Sequence, residues 1–516
     1  MKLVTQQNIV VLMIVLLFNQ KVLSQDNLRN QNWVIGMSPM VNFSFQGNLS
    51  INNSMGSLPG GFDNSCISDV DGNFLFVDIG FGIFDKSGLL LDNSKDINCP
   101  YGDSLAKFLS HMARTPQTSI ILPKKGQEYY VISTGMSDSV ASDLIENANY
   151  QGYDVLNYSV VDMNLNNGLG GVTTKNKVLL DKQQYANTAL TAVRHGNGKD
   201  WWLVKADCWK HQYQTFLVQE DTILGPYYYT YPDTVNYWTY YSEIHFSDDG
   251  SKMASNIQVQ TSQPLSTSYA LYNRLDVFDF DRCNGTFSNQ HFYVIPNDTT
   301  SYPWEDGLVG LCFSPNSKLL YGINTYNIYQ IDLSDTNRYN AIHIHGPDDS
   351  LNVFPSYHSG KCGPDGKLYI GNFDGTRNAM SYINDPNERG AACNFVPKGI
   401  MQPYNNNLLN PPNMPNYGLG WLPGCAPASV PLTPLQAASF SIYPNPASNY
   451  LQLRYSSTTT GQFVLFDLLG HKVLEQVLHA NEIETTVNVQ HLPSGLYTYK
   501  VSTLNNEHLV GKITLN

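Results

Sequence analysis

An all-β fold is what this sequence predicts: a β-propeller of seven blades, with six as the alternative, followed by a small C-terminal β-sandwich. Three observations predict it. Helical periodicity is nearly absent between Trp33 and Pro423, one polar turn returns at intervals of about 50 to 70 residues, and a proline-crowded stretch precedes a last run of alternating strands. A pair of β-sandwiches is the competing architecture for the long middle section.

The first element is a secretory signal. Lys2 supplies a positive charge, Ile9 to Phe18 form an apolar run, and Val22-Leu23-Ser24 place modest side chains before a cleavage point between Ser24 and Gln25. The run is shorter than the roughly 20 residues that span a bilayer, and no later stretch is long and apolar enough to be a transmembrane segment. No cysteine follows it at a lipidation position. Residues 1–24 are therefore expected to be removed, leaving a soluble exported chain.

In residues 25–422, short runs rich in Val, Ile, Tyr and Phe alternate with Gly, Asn, Asp and Pro clusters, the pattern of an all-β domain. Ser104 to Arg114, "SLAKFLSHMAR", is the exception, with apolar residues at helical spacing. The recurring turn reads "SDVDGNFLFVD" at 68–78, "HGNGKDWWLVK" at 195–205, "FSDDGSKMASN" at 246–256, "FSPNSKLLYGIN" at 313–324 and "CGPDGKLYIGN" at 362–372. A weaker copy, "PKKGQEYYVIS", lies at 123–133. Asp-Gly and Asn-Gly pairs supply the positive φ that tight hairpins need. With positions 72, 126, 198, 250, 317 and 366 as markers, the spacings are 54, 72, 52, 67 and 49. Repeats of that length built from four strands indicate a propeller. The segment from Trp33 to Phe45 is expected to close the last blade by pairing with C-terminal strands.

The net charge of −13 argues against nucleic acid and against an anionic membrane surface, both of which need a basic footprint. Eight cysteines stand at 66, 99, 208, 283, 312, 362, 393 and 425, with no C-x-x-C pair, which makes a zinc site a poor reading. An even number in an exported chain points to disulfides, whose pairing stays open among 105 connectivities.

The segments "YSVVDMNLNNGLGGVTTKNKVLL" (158–180), "TALTAVRHGNGKDWWLV" (188–204), "FDFDRCNGTFSN" (278–289), "FSPNSKLLYGIN" and "PNERGAACNF" (386–395) together resemble the propeller region of large secreted proteins from gliding-type bacteria. The resemblance spans most of residues 30–425 and is one of architecture. It transfers no catalytic residue.

Residues 423–438, beginning "PGCAPASVPLTPLQ", read as a linker because proline blocks strand pairing. Then come "YPNPASNYLQL" (443–453), "FVLFDLLGHKV" (463–473), "LPSGLYTYKV" (492–501) and the terminal "GKITLN". In order and spacing, residues 439–516 resemble the type A C-terminal sorting domain of type IX secretion cargo. The residues that carry the resemblance are Tyr443, Pro444, Asn445, Pro446, Gly470, Gly495, Tyr497 and Lys512. It implies passage through the periplasm and across the outer membrane to the surface or the medium. The implied partners are the type IX secretion machinery and its sortase-like protease. The family often ends in a basic residue, where this chain ends Leu515-Asn516. Alternation in Val464-Phe466-Leu468 and Tyr497-Tyr499-Val501 predicts strands of a small sandwich.

Several local patterns carry potential chemistry. His343 and His345 in "HIHG" fall on one strand face, as metal ligands do, yet no acidic or cysteine partner stands at ligand spacing. "DVDGN" at 69–73 opens like a calcium loop but lacks the closing Glu, so a β-turn is expected. Arg194 and His195 have no nearby nucleophile or paired carboxylate, and neither G-x-S-x-G nor H-E-x-x-H occurs. The aromatic run "YYYTYPDTVNYWTYY" (227–241) suits stacking on sugar rings or a protein hot spot, with Tyr237, Trp238 and Tyr240 as the binding candidates. Packing between blades is the competing reading of the same rings.

No catalytic residue, metal or cofactor is assigned. The leading expectation is a non-enzymatic propeller that binds an extracellular glycan or a protein. The alternatives are a polysaccharide hydrolase or lyase built on the propeller, and a structural module of a surface layer.

Overall fold

The six recurring turns adopt the backbone that their sequences demand. In the computed structural model, Gly72, Gly126, Gly198, Gly250, Ser317 and Gly366 all have positive φ, between 59° and 83°. Only glycine enters that region without steric cost, which explains why five of the six are glycine. In most of these turns an Asp or Asn side chain accepts the N–H two residues on: Asp69 from Asp71, Asn197 from Lys199, Asp249 from Ser251, Asn316 from Lys318. This is the Asx-turn bond that makes these residues turn formers.

The structure describes residues 25–35, 41–46, 49–52, 55, 64–80, 82–98, 117–147, 152–183, 185, 189–207, 210–230, 242–260, 271–295, 307–346, 356–372, 379–401, 410–425, 441–455, 460–467, 471–480, 482, 484–503 and 508–516. The signal segment 1–24, including Ser24, and the predicted helix at 104–114 lie outside them. Gln25 opens a short 3-10 helix, Gln25–Asn30.

The chain divides into two units, residues 1–429 and 430–516. Among the described residues the first unit holds seven antiparallel sheets in chain order. Sheet 1 is β1 (Asn32–Ile35), β2 (Val41–Ser44) and β3 (Ser50–Asn52). Sheet 2 is β4 (Ser65–Ser68), β5 (Phe74–Asp78) and β6 (Ile83–Asp85). Sheet 3 is β7 (Ser119–Pro123), β8 (Glu128–Gly135), β9 (Val155–Asp162) and β10 (Gly171–Leu180). Sheet 4 is β11 (Leu190–Arg194), β12 (Trp201–Asp207), β13 (Gln212–Val218) and β14 (Ile223–Thr230). Sheet 5 is β15 (Ile244–Phe246), β16 (Lys252–Gln260), β17 (Leu271–Asp281) and β18 (Thr286–Ile295). Sheet 6 is β19 (Leu308–Phe313), β20 (Leu319–Asn324), β21 (Ile328–Asp332) and β22 (Ile342–His345). Sheet 7 is β23 (Tyr357–Cys362), β24 (Leu368–Asn372), β25 (Ala379–Ile383) and β26 (Phe395–Met401).

In every sheet each strand pairs with the next in sequence. The six marker turns join first to second strand in sheets 2 to 7. First strands of successive sheets lie beside each other, from β1 and β4 through to β19 and β23. Several are enclosed on both faces: β7, β11 and β19 are buried almost throughout. Trp33 of β1 stands 5.6 Å from Tyr369 of β24, edge to face, and Phe45 stands 5.7 Å from the same ring. One apolar cluster accordingly contains Trp33, Phe76, Ile132 and Trp201 of sheets 1 to 4 together with Tyr369, Met380 and Ile400 of sheet 7.

Two expectations are corrected here. Among the described residues the Trp33–Phe45 segment does not pair with C-terminal strands; β1 pairs with β2, Trp33 opposite Phe43. Its two halves are each strand-forming, so they make their own hairpin, and rings rather than backbone meet sheet 7. A helix also occurs where none was expected, at Asp138–Asn147 between β8 and β9. Ser137 caps it, its Oγ accepting the Val140 N–H at 3.4 Å. Ala141 and Leu144 are its buried face, too small a stripe to read as periodicity.

Among the described residues the second unit holds two sheets, ordered β27-β28-β31 and β30-β29-β32-β33. These are β27 (Ser441–Tyr443), β28 (Tyr450–Arg454), β29 (Gly461–Phe466), β30 (Lys472–Leu478), β31 (Glu484–Asn488), β32 (Gly495–Thr503) and β33 (His508–Leu515). Both sheets feed one core, with Leu451, Leu453 and Val487 from one and Phe463, Leu465, Tyr497 and Ile513 from the other. Phe463 and Leu465 point inward, the opposite parity from the expected Val464-Phe466-Leu468. All four residues of 463–466 are apolar, so alternation alone did not decide which face is buried.

Candidate functional site

Residues 410–425 form no strand, and Pro411, Pro412, Pro415 and Pro423 give the reason, since proline cannot donate to a ladder. The segment lies instead along the first strands of the sheets. The Asn413 N–H donates to Asn64 O at 2.8 Å, just before β4. Its side-chain amide donates to Ser119 O of β7 at 2.8 Å and to Leu190 O of β11 at 2.9 Å. The Tyr417 hydroxyl donates to Ile121 O at 2.8 Å, and Lys361 of β23 donates to Met414 O. Five of the seven sheets are thus reached directly, because Asn416 also donates to Asp248 at the end of β15. The segment enters at the starting ends of β4, β7 and β11 and leaves at the turn ends of β11 and β15.

The leaving end is held firmly. Arg194 donates to Tyr417 O at 3.0 Å while its guanidinium lies 4.3 Å from the Trp201 ring centroid. Arg282 donates to Arg194 O and to Gly420 O, each at 2.8 Å. Burial, with Arg194 nearby, brings the Arg282 guanidinium down to about 10. The Leu422 N–H donates to Gly196 O at 2.7 Å, and Cys425 is joined to Cys283 in a disulfide. Pro423–Cys425 therefore belong to the first unit, three residues past the expected start of the linker; 426–438 lie outside the described residues.

Beside this segment is a cavity of about 80 Å³, small against the roughly 300–1,000 Å³ of ligand pockets. Its lining includes Lys361, His245, Asp248 and Asn416, together with Cys312 and Cys362. Burial lowers the Lys361 ammonium from its ordinary range. Behind it, the wholly buried Glu243 is engaged: one carboxylate oxygen lies 3.2 Å from His245 Nε2 and accepts the Leu311 N–H at 3.2 Å. His358, also buried, is pushed toward the neutral form by desolvation. Among the described residues this arrangement presents no carboxylate pair facing open space.

Most residues singled out from sequence have structural employment. Arg194 and His195 serve the 410–425 segment and its turn: His195 Nδ1 accepts the Asn197 N–H at 2.9 Å, and burial lowers the imidazole. His343 Nε2 pairs with Asn327 Oδ1 at 2.9 Å, and His345 stacks 4.6 Å from Phe395. Among the described residues no group of three or more His, Cys, Asp or Glu is arranged to hold a metal. "DVDGN" is a turn closed by Asp69. In the aromatic run, Tyr227 and Tyr229 of β14 pack toward Trp202 and toward Phe278 and Phe287, the last at 5.1 Å, and Tyr228 is exposed. Tyr237, Trp238 and Tyr240 lie outside the described residues. What sequence reading missed is the 410–425 segment itself. Its signal was present in "NPPNMPNYG", where asparagines at 410, 413 and 416 alternate with prolines that forbid a strand.

In the second unit the sorting residues are tied to one another. Asn445 donates to Lys512 O at 3.2 Å and accepts the Thr514 N–H at 2.9 Å. The Tyr443 hydroxyl donates to Glu484 at 2.8 Å, and the Tyr497 hydroxyl to Pro493 O at 2.7 Å. Pro444 and Pro446 flank Asn445, Gly495 opens β32, and Gly470 lies outside the described residues. No helix among the described residues is long and apolar enough to cross a membrane.

No curated protein matches the chain. Among solved structures it is similar to the hydrazine synthase of Kuenenia stuttgartiensis, with 11% identity over 75% of this chain and 98% of that one, at a TM-score of 0.37. The extracellular domain of a hybrid two component system of B. thetaiotaomicron is 11% identical over 94% of this chain and 55% of that one, at 0.33. An α-L-arabinofuranosidase of Fusarium graminearum is 10% identical over 55% of this chain and 71% of that one, at 0.30. Residues 441–516 match the secretion system C-terminal sorting domain family. By that domain the chain is cargo of the type IX secretion system, exported to the cell surface or the extracellular space.

Proposed function

We propose that the first unit is a seven-bladed propeller, closed by sheet 1 against sheet 7, and that it binds an extracellular glycan or protein without catalysis. One observation carries the non-enzymatic reading: the space along the first strands, where a propeller enzyme places its catalytic groups, is filled by the chain's own residues 410–425. Of the buried Glu243, one carboxylate oxygen is taken by His245 and the Leu311 N–H, while the other is enclosed without a hydrogen-bond partner.

Recognition then belongs to an end of the ring. The marker turns are short and gather at one end by connectivity. From each four-stranded sheet the connection to the next leaves at the opposite end, and 231–243, which joins β14 to β15, is one of these. Rigid strands beneath variable connections are the usual setting for binding residues, and Tyr237, Trp238 and Tyr240 are the candidates there. The sortase-like protease that removes the tail is the further partner. A glycan and polysaccharide array probed with the exported protein, scored for retention and for cleavage, tests the proposal. Retention without product is expected; release of shortened glycan overturns the reading.

A further inference from the structure

We infer that Cys312 and Cys362 become joined in a second disulfide, stapling sheet 6 to sheet 7 beside the 410–425 segment. The two sulfurs are 3.8 Å apart, on adjacent first strands that belong to different sheets. Both thiols donate to the same acceptor, Phe313 O, at 3.4 and 3.2 Å. The approach is built into the backbone at two glycines. A Cβ on Gly310 would stand 2.8 Å from His358 O, and one on Gly360 would stand 3.2 Å from Cys312 Cβ. Larger residues at either position would hold β19 and β23 further apart. The sulfurs have to close from 3.8 Å to the roughly 2.05 Å of a disulfide bond.

The compartment supplies the chemistry. An exported chain folds where disulfides persist, and Cys283–Cys425 is already formed at the same end of the sheets. The oxidant is a protein or small-molecule disulfide. The thiolate of one cysteine attacks it, forming a mixed disulfide and releasing one thiol; the second thiolate then displaces the other thiol. Two protons and two electrons leave the cysteine pair, and the oxidant becomes two thiols. In the folded state the Cys362 thiol is held well above its ordinary range by its contact with Cys312 and by burial. That favours reaction while the chain is folding, before the pair is enclosed.

The decisive experiment is peptide mapping of the full exported chain, denatured and alkylated without reduction. Trypsin with a glutamate-specific protease cuts after Glu305, Lys318, Lys361 and Lys367, separating Cys312 and Cys362 from each other and from Cys283. The expected result is one linked pair, 306–318 with 362–367, two hydrogens lighter than the sum of the free peptides. Alkyl groups on Cys312 and Cys362 in most molecules overturn the inference. So does either cysteine linked to Cys99 or Cys208 instead.

Discussion

Asn445 and Thr514 join the beginning of the sorting domain to its end, the Asn445 Oδ1 accepting the Thr514 N–H at 2.9 Å. The Ala447 N–H donates to Thr514 O at 2.9 Å and the Asn516 N–H to Ala447 O at 2.7 Å, completing the clasp. The Tyr-Pro-Asn-Pro stretch and the terminal strand are therefore one structural feature, though 67 residues of sequence separate Asn445 from Lys512. N445A removes two hydrogen bonds and is expected to cost about 1–2 kcal/mol in the second unit. Faster proteolysis of 441–516 in the full chain, with export reduced in parallel, is the expected outcome. Lost export with unchanged protease resistance would mean that Asn445 is read directly by the machinery.

Truncation after residue 436 separates address from core. The two units have their own apolar clusters, so the first is expected to fold and remain in the periplasm. Fractionation of cells expressing the truncated chain checks this. Equal amounts of truncated and full-length protein in the medium would rule it out.

Asn413 ties the 410–425 segment to two first strands through one side chain. N413A removes the bonds to Ser119 O and Leu190 O and leaves those carbonyls short of a donor. The expected loss is about 1–3 kcal/mol, with faster amide hydrogen exchange along 410–425 than in the parent. Unchanged exchange there would show the segment to be held by the Cys283–Cys425 bond and the arginines alone.

Asp78 predicts a pH dependence. Its carboxyl is fully buried, and desolvation pushes it up to about 6 against the pull of hydrogen bonds from Ser119, Gly80 and Asn98. In the unfolded chain it ionises near 3.9. Between about pH 4 and 6 the unfolded state has lost this proton and the folded state keeps it, so stability falls as pH rises. The span of about two units corresponds to roughly 3 kcal/mol at most. D78N has no such proton and is expected to lose correspondingly less stability from pH 4 to 7 in urea titrations. Parallel profiles for the two proteins would sink this assignment.

The turns were the most legible part of the fold, because an Asp-Gly or Asn-Gly pair states its own backbone geometry. Sheet 1 carries no such marker, which is why turn counting stopped between six and seven. It meets sheet 7 through Trp33 and Phe45 against Tyr369, contacts across more than 300 residues that no local pattern encodes. The tail was legible for the opposite reason, since its motif residues bond one another through Asn445 and the strand that holds Lys512. Least legible was the 410–425 segment. Its prolines declared what it is not, but the partners of Asn413 and Tyr417 lie on strands hundreds of residues earlier.

Tyr229 is packed, Tyr237 belongs to the part of the aromatic run proposed for recognition, and mutation tests the division. Tyr229 stands 5.1 Å from Phe287 and 5.9 Å from Phe278, so Y229A removes ring contacts between sheets 4 and 5. The expected cost is about 2–3 kcal/mol, below the roughly 3–5 of a fully enclosed ring, with ligand affinity little changed. Tyr237, Trp238 and Tyr240 follow Pro232 in the connection from β14 to β15. Their combined replacement by Ala is expected to do the reverse. Each lost stacking contact removes about 1–3 kcal/mol of binding if it resembles aromatic stacking on a planar ligand, while the melting temperature stays near the parent value. Thermal melts and binding to whichever glycan or protein the array retains are run on both variants. A large fall in melting temperature for the triple variant would show those rings to be core, and recognition would then fall to the other connections at the same end.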